Sequence, residues 1–443
     1  MSLPTLREAT RVWARIGLLS FGGPAGQIAL MHRELVEDRR WIGEARFLHA
    51  LSYCMLLPGP EAQQLATYIG WLLHGRRGGL IAGGLFILPG VLVMLGLSTL
   101  YTLYHQAPLT GALFHGLKAA VLAVVMDAVL RLGRRALRGW PSLAVAGLAF
   151  LALAVAHLPF PLVVLAAAGI GMAARRSFAP AAAKADGDAL LDRQLEAAVP
   201  PHARPSRGRA LATLALWLPL WLGPLAALRL ITGADSVWTH LALFFSGMAL
   251  VTFGGAYAVL AYVAQAAVTG YGWLTPGEMI DGLGLAETTP GPLVLVLQHV
   301  GFLAAAHAPG TLPPLLAGFL GAMLTSWVTF APCFLWIFLG GPYVERVRTN
   351  TTITAALAAI TAAVVGVILN LAVWFGWHVL FSGSRPLSLG PFSLPLPTGL
   401  DIPAALLALM AFIALRHTRL GLLPTLAACA AAGVLLAWLP TPP

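Results

Sequence analysis

A chain of 443 residues in which 58% are hydrophobic and only 10% charged is neither a soluble enzyme nor a nucleic-acid-binding module, since soluble domains carry about 25% charged residues. The formal charge of +10, from 27 basic and 17 acidic residues, fits arginine-rich loops facing an anionic membrane leaflet. Apolar stretches of near-spanning length recur from end to end, so the expected fold class is an all-α integral membrane protein.

The amino-terminal stretch places Arg7, Arg11 and Arg15 on one face of a surface helix, ahead of any apolar run, which argues against a cleavable signal sequence. An apolar segment at 16–31 is broken by Ser20-Phe21-Gly22-Gly23-Pro24. A loop at 32–46 follows, with four basic and four acidic residues, and then a segment at 47–73 broken by Pro58-Gly59-Pro60. Further segments are expected at 79–104, 111–132, 142–156 and 160–174. A polar stretch at 175–209 reads as a linker with little fixed structure. An additional span at 210–230 leads to segments at 241–268, 279–306, 315–339, 354–381, 403–415 and 420–438, about 13 in all.

The two halves repeat. Phe21-Gly22-Gly23 aligns with Phe253-Gly254-Gly255, Trp41 with Trp273, and Pro58-Gly59-Pro60 with Pro290-Gly291-Pro292, all at an offset of 232. Beyond an eleven-residue insertion near 304–314 the offset becomes 243, pairing Pro89 with Pro332, Lys118 with Thr361 and Asp127 with Asn370. A single connector between two six-segment units implies repeats of inverted topology. The expected domains are a first repeat at 1–174, a cytoplasmic linker at 175–209, a connecting helix at 210–231 and a second, inverted repeat at 232–443.

Loop arginines place the amino terminus in the cytoplasm. The charged loop at 32–46 fits that topology best if the glycine-proline segments re-enter rather than cross, and broken backbone at that depth must face protein or a wet cavity.

Each break leaves free amides at the start of a new helix, a natural anion site. The expected substrate-binding residues are therefore Ser20, Gly22, Gly23, Pro24 and Gln27 at the first break, and Pro58, Gly59, Pro60, Glu61, Gln63 and Gln64 at the second. Gly254, Gly255, Thr289, Pro290 and Gly291 are their counterparts in the second half. A helix terminus contributes about 0.3 to 2 kcal/mol, against roughly 20 kcal/mol for burying a charge in the idealised limit, so a cation is needed. Lys118, the sole lysine inside an apolar segment, is the candidate; its alternatives are a snorkelling lysine or a pair with Asp127. Glu61, Asp127 and Glu287 are candidate gating or coupling residues, and Arg33, Arg39 and Arg40 candidates for the cavity mouth. Cys54, Cys333 and Cys429 lie far apart inside apolar segments and suggest neither disulfide nor metal, and the twelve histidines are treated as background.

Ser-Phe-Gly-Gly-Pro-Ala-Gly-Gln-Ile at 20–28, Leu-Pro-Gly-Pro-Glu-Ala-Gln-Gln-Leu-Ala at 57–66 and Thr-Phe-Gly-Gly-Ala-Tyr at 252–257 closely resemble the chromate ion transporter family in its long, two-domain form. The resemblance implies a protein of the bacterial inner membrane that exports chromate from the cytoplasm, with sulfate as the look-alike substrate. The second half departs from the first, with Ala256 in place of Pro24 and Leu293 in place of Glu61. The expected mechanism is alternating access driven by membrane potential, proton exchange or both. An oxyanion channel and, more remotely, a membrane-embedded lipid-modifying enzyme are the alternatives. No catalytic residue, cofactor or nucleic-acid partner is expected; a homodimer is left open.

Overall fold

The computed structural model describes residues 4–178, 200–253, 256–343, 351–389, 392–418 and 420–438. Gly254 and Gly255, most of the expected linker, and the arginines at 346, 348 and 419 lie outside the described residues.

Helix α1 (Leu6–Leu18) is capped by Thr5, whose hydroxyl accepts the Glu8 N–H, and it buries Ala9, Val12, Trp13 and Ile16. The expected boundary between a surface helix and an apolar segment at residue 15 is therefore corrected. The apolar stripe continues without a breaker until Gly22, which adopts φ 86°. After α2 (Gly23–His32) the helix widens into a π-turn, Arg33–Asp38. Widening by one residue per turn points Glu34 inward, where Arg15 Nε lies 3.4 Å from its carboxylate and Arg39 donates to it.

Helix α3 (Glu44–Cys54) and α4 (Glu61–Tyr104) flank the Pro58-Gly59-Pro60 break. Non-helical backbone at His74 and Gly75 divides α4 into limbs at 61–73 and 76–104. A Cβ on Gly70 would lie 2.5 Å from the Gly78 carbonyl and from Ala82, so the second limb packs back along the first with backbone close to backbone. At about 1.5 Å per residue, α3 and the first limb span roughly 17 and 20 Å, short of the 30 Å hydrocarbon core.

Next come α5 (Pro108–Ala136), α6 (Trp140–Ala154), α7 (Phe160–Ala173), α8 (Arg207–Thr232) and α9 (Val237–Val251). They are followed by α10 (Ala256–Gln265), α11 (Pro276–Thr288), α12 (Val296–His307), α13 (Pro314–Gly340) and α14 (Thr351–Leu380). Helices α15 (Ile402–His417) and α16 (Leu422–Trp438) close the chain. Among the described residues, five helices are long and apolar enough to cross a membrane: α4, α5, α8, α13 extended to Tyr343, and α14.

An all-helical expectation missed one element. Strands β1 (Phe381–Leu389) and β2 (Phe392–Leu400) form an antiparallel hairpin between α14 and α15. Prolines at 386, 395 and 397 argue against strand, but in a two-stranded ribbon every strand is an edge, where a missing N–H is tolerated.

Packing crosses between the halves. Helix α5 lies against α15 and α16, α14 lies against α6 and α7, and α5 and α14 touch each other. Helices α4 and α13 pack together in the same way. Small residues allow these contacts: Gly116 sits on the Cys429 carbonyl and Gly366 on that of Ala146. The three cysteines are buried and unpaired with one another.

Candidate functional site

Both breaks depend on glycine. Gly59 has φ 126° and Gly291 φ 91°, a left-handed region that side-chain-bearing residues avoid. Each break is held by the other half of the chain. The Gly59 N–H donates to the Thr252 carbonyl and the Gly291 N–H to the Ser20 carbonyl, both at 2.8 Å. Gln27 Nε2 also donates to the Gly291 carbonyl.

Around these crossed contacts, four helix starts face one another. Helix α2 follows Gly22 with no side-chain cap, α4 follows Pro60 with none, and the short 3-10 turn Leu293–Leu295 leading into α12 also has none. Together with the start of α10 they line one cavity, through Pro24 and Gln27, Pro60 and Glu61, Ala256, and Pro292 and Leu293. Its volume is about 10 Å³, room for one water molecule, so a tetrahedral oxyanion needs it to widen.

Electrostatically the cavity has positive helix ends and one carboxylate, Glu61, which has no cationic partner among the described residues. The Ser20 hydroxyl and the Gln27 Oε1 are buried without a hydrogen bond, so polar groups beside the cavity remain unused.

Of the residues expected at the site, Pro24, Gln27, Pro60 and Glu61 line this cavity. Gly22 and Gly23 shape the start of α2, while Pro58, Gly59, Thr289, Pro290 and Gly291 form the breaks themselves. Gln63 and Gln64 are fully buried but spend their donors elsewhere: Gln63 Nε2 on Thr67 Oγ1 at 3.0 Å, and Gln64 Nε2 on the Pro58 carbonyl at 2.7 Å. Gln64 thus braces the break from behind.

Lys118 is not at this cavity. The expected Lys118–Asp127 alternative is also corrected: Lys118 Nζ lies 3.2 Å from Asp281 Oδ1, whereas Asp127 is held by Arg131 at 2.8 Å and by Arg416 at 3.5 Å. Nine residues along α5 put Lys118 and Asp127 about 13 Å apart, too far to pair. Glu287 accepts the Tyr257 hydroxyl at 2.7 Å. Among the mouth candidates, Arg33 and Arg40 are exposed, and Arg39 is committed to Glu34 and stacks over Trp41.

Sequence reasoning missed a polar cluster. Tyr101 donates to Asp281 Oδ2 at 3.0 Å, and fully buried His299 pairs through Nδ1 with Ser98 at 2.9 Å. Asp281 was findable, because it is an acid inside an apolar segment.

The chromate transporter family profile matches residues 7–172 and 239–434. A chromate transport protein of Pseudomonas aeruginosa is 34% identical over 362 residues, 80% of this chain and 77% of the relative. A chromate transport protein of Cupriavidus metallidurans is 27% identical over 406 residues, 92% of this chain and 86% of the relative. An uncharacterized transporter of Bacillus subtilis, YwrB, is 35% identical over 136 residues, 30% of this chain and 68% of the relative. No solved structure matches the chain. With its breaks and their surroundings inside the matched regions, this multi-pass membrane protein belongs to the chromate transporter family, whose members are transporters and not enzymes.

Proposed function

We propose that the protein exports chromate-type oxyanions, sulfate among them, from the bacterial cytoplasm by alternating access between two inverted repeats. The crossed hydrogen bonds of Gly59 to Thr252 and Gly291 to Ser20 carry this reading, because they make the two breaks one structure lined by four helix starts. Helices α9, α10, α11 and α12 correspond to α1, α2, α3 and the first limb of α4 at the 232 offset, and α14 to α5 at 243, which supports the repeat. The exchanged packing of α5 and α14 supports it further. So does the match to YwrB, in which 136 residues make up 68% of a chain about half this length.

The shortness of α3 and of the first limb of α4 favours re-entrant hairpins over full crossings. On that topology the amino terminus and the Arg76, Arg131 and Arg416 ends face the cytoplasm. Asp127, bridging Arg131 on α5 and Arg416 on α15, then acts as a cytoplasmic latch between halves.

Glu61 is the resident anion of the central cavity. Its carboxylate occupies the field of the helix starts, and an oxyanion enters when Glu61 is protonated or swings aside. Export of a dianion down a potential of 100 mV, negative inside, gains about 4.6 kcal/mol, twice the value per unit charge. Proton exchange through Glu61 would add to that drive.

Inverted vesicles energised positive inside, without a pH gradient, are expected to accumulate chromate with saturation, and preloaded anion is expected to accelerate uptake. Uptake that neither saturates nor responds to anion on the far side would identify a channel instead. Failure to accumulate would contradict potential-driven export.

A further inference from the structure

A second cavity, of about 190 Å³, lies between α5, α14, β1 and the start of α15, away from the breaks. It is lined by His115, Lys118, His378 and Asp401, an unusual concentration of ionisable side chains for a chain with 10% charged residues. Unlike the central cavity, it has room for a tetrahedral oxyanion and part of its hydration shell.

Its cation is held in reserve. Lys118 Nζ lies 3.2 Å from Asp281 Oδ1, and the lysine is the one group set against that buried oxygen among the described residues. Separating the two strands a buried carboxylate, so Lys118 leaves Asp281 only when an arriving anion takes up the lysine and movement of the helix that carries Asp281 compensates. His378 Nδ1 donates to the Trp374 carbonyl at 2.9 Å, which leaves Nε2 to face a ligand, and Nε2 donates to an anion when the ring is the imidazolium. His115 Nε2 lies 3.6 Å from Asp401, whose Oδ1 is spent capping α15.

One helix links this cavity to the centre. Helix α11 carries Asp281 in its middle and Glu287 near its end, and then runs into the Thr289-Pro290-Gly291 break. Glycines give it smooth sides: a Cβ on Gly284 would lie 2.8 Å from Leu117, and one on Gly282 would strike His299. A shift of α11 that accompanies opening of the break therefore moves Asp281 relative to Lys118.

Resting on the oxyanion-transport reading above, we propose that this cavity is a second oxyanion site, loaded when Lys118 leaves Asp281 and meets the anion together with His378. At the face opposite the arginine-rich loops, such a site is a stopping point after the central one. In the paired state it binds an anion weakly, because Asp281 cancels the Lys118 charge and the Asp401 carboxylate adds another negative group.

Equilibrium dialysis of the detergent-purified full-length protein against radiolabelled sulfate, and against chromate, tests this. Asp281→Asn removes the competing carboxylate and is expected to tighten binding threefold or more and to raise the count toward two anions per chain. Lys118→Gln is expected to weaken binding by a similar factor with a count near one, and Lys118→Arg to stay near wild type. On the exposed rim, His378→Gln is expected to reduce sulfate affinity about twofold and to halve the gain seen with Asp281→Asn, a readout independent of disturbing a buried acid.

If Asp281→Asn and Lys118→Gln shift affinity in the same direction, or not at all, in monodisperse protein, the pair is structural and the second site is overturned. Anion counts that never exceed one while vesicles still transport chromate overturn the second site alone. Vesicles that transport no chromate overturn both this site and the transport reading.

Discussion

Glu61→Gln is expected to lower the KM for chromate tenfold or more and to abolish the pH dependence of transport. The reason is local electrostatics. Glu61 lines the cavity where four helix starts converge and has no cation beside it among the described residues. At about 5 Å, a carboxylate and a dianion repel by roughly 2 to 7 kcal/mol as the effective dielectric constant falls from 80 to 20. A tenfold change needs only about 1.4 kcal/mol, so the lower end of that range suffices.

The sign follows directly. In the wild type, acidification is expected to neutralise Glu61 and improve anion binding; glutamine is neutral at every pH, so its profile should be flat with sulfate, which stays a dianion throughout. Initial rates at several pH values, paired with a pH-sensitive dye inside the vesicles, measure both effects. The glutamine variant is expected to move chromate without moving protons. A variant that keeps the wild-type pH profile, or binds chromate more weakly, contradicts the resident-anion role.

Gly59→Ala is expected to reduce transport by more than tenfold while the protein still reaches the membrane. At φ 126° an alanine is strained wherever its methyl points, a cost of about 1 to 3 kcal/mol for such a conformation. The methyl would also lie 2.6 Å from Gln64 Nε2 and 2.9 Å from Cys333 Sγ, so it pushes on the brace that holds the Pro58 carbonyl. Relief requires the break to move, and with it the Gly59 N–H bond to Thr252.

Gly84→Ala is the control. That glycine lies on the second limb of α4, the helix that follows the break, with open space where the methyl would go, and transport should stay within twofold of wild type. Equal loss in both variants would mean that an added methyl is as damaging on α4 as in the break, and the break would lose its special status.

The breaks were legible in the sequence because they depend on local chemistry: proline and glycine stop a helix whatever surrounds them, and the next helix must start with free amides. Pro24, Pro60 and Glu61 fall at the cavity for that reason. What was not legible is where polar side chains point. Gln63 and Gln64 look like ligands beside a break, yet the Thr67 hydroxyl one turn on and the Pro58 carbonyl of the break claim their donors. Lys118 looks like the partner of Asp127 on its own helix, but its carboxylate comes from Asp281, 163 positions away. Pairing at that distance depends on how helices pack, which periodicity along one helix does not encode. The histidines set aside as background include His115 and His378, whose shared cavity exists because α5 and α14 come together across the halves. The β1–β2 hairpin escaped because its prolines mask the alternation a strand would display.

On the proposed mechanism, both halves build one cavity that opens to each side of the membrane in turn. Single cysteines at Ala62 and Ala256, one from each half and both lining the cavity, test it in a protein whose three native cysteines are replaced. An anionic thiol reagent applied to one side of oriented vesicles at a time reports access, with and without chromate, and a reagent-free chromate control shows the thiol stays titratable. Labelling of both positions from both sides, slowed at both by chromate, is the predicted result. Labelling from one side only, or protection at one position and not the other, would contradict it.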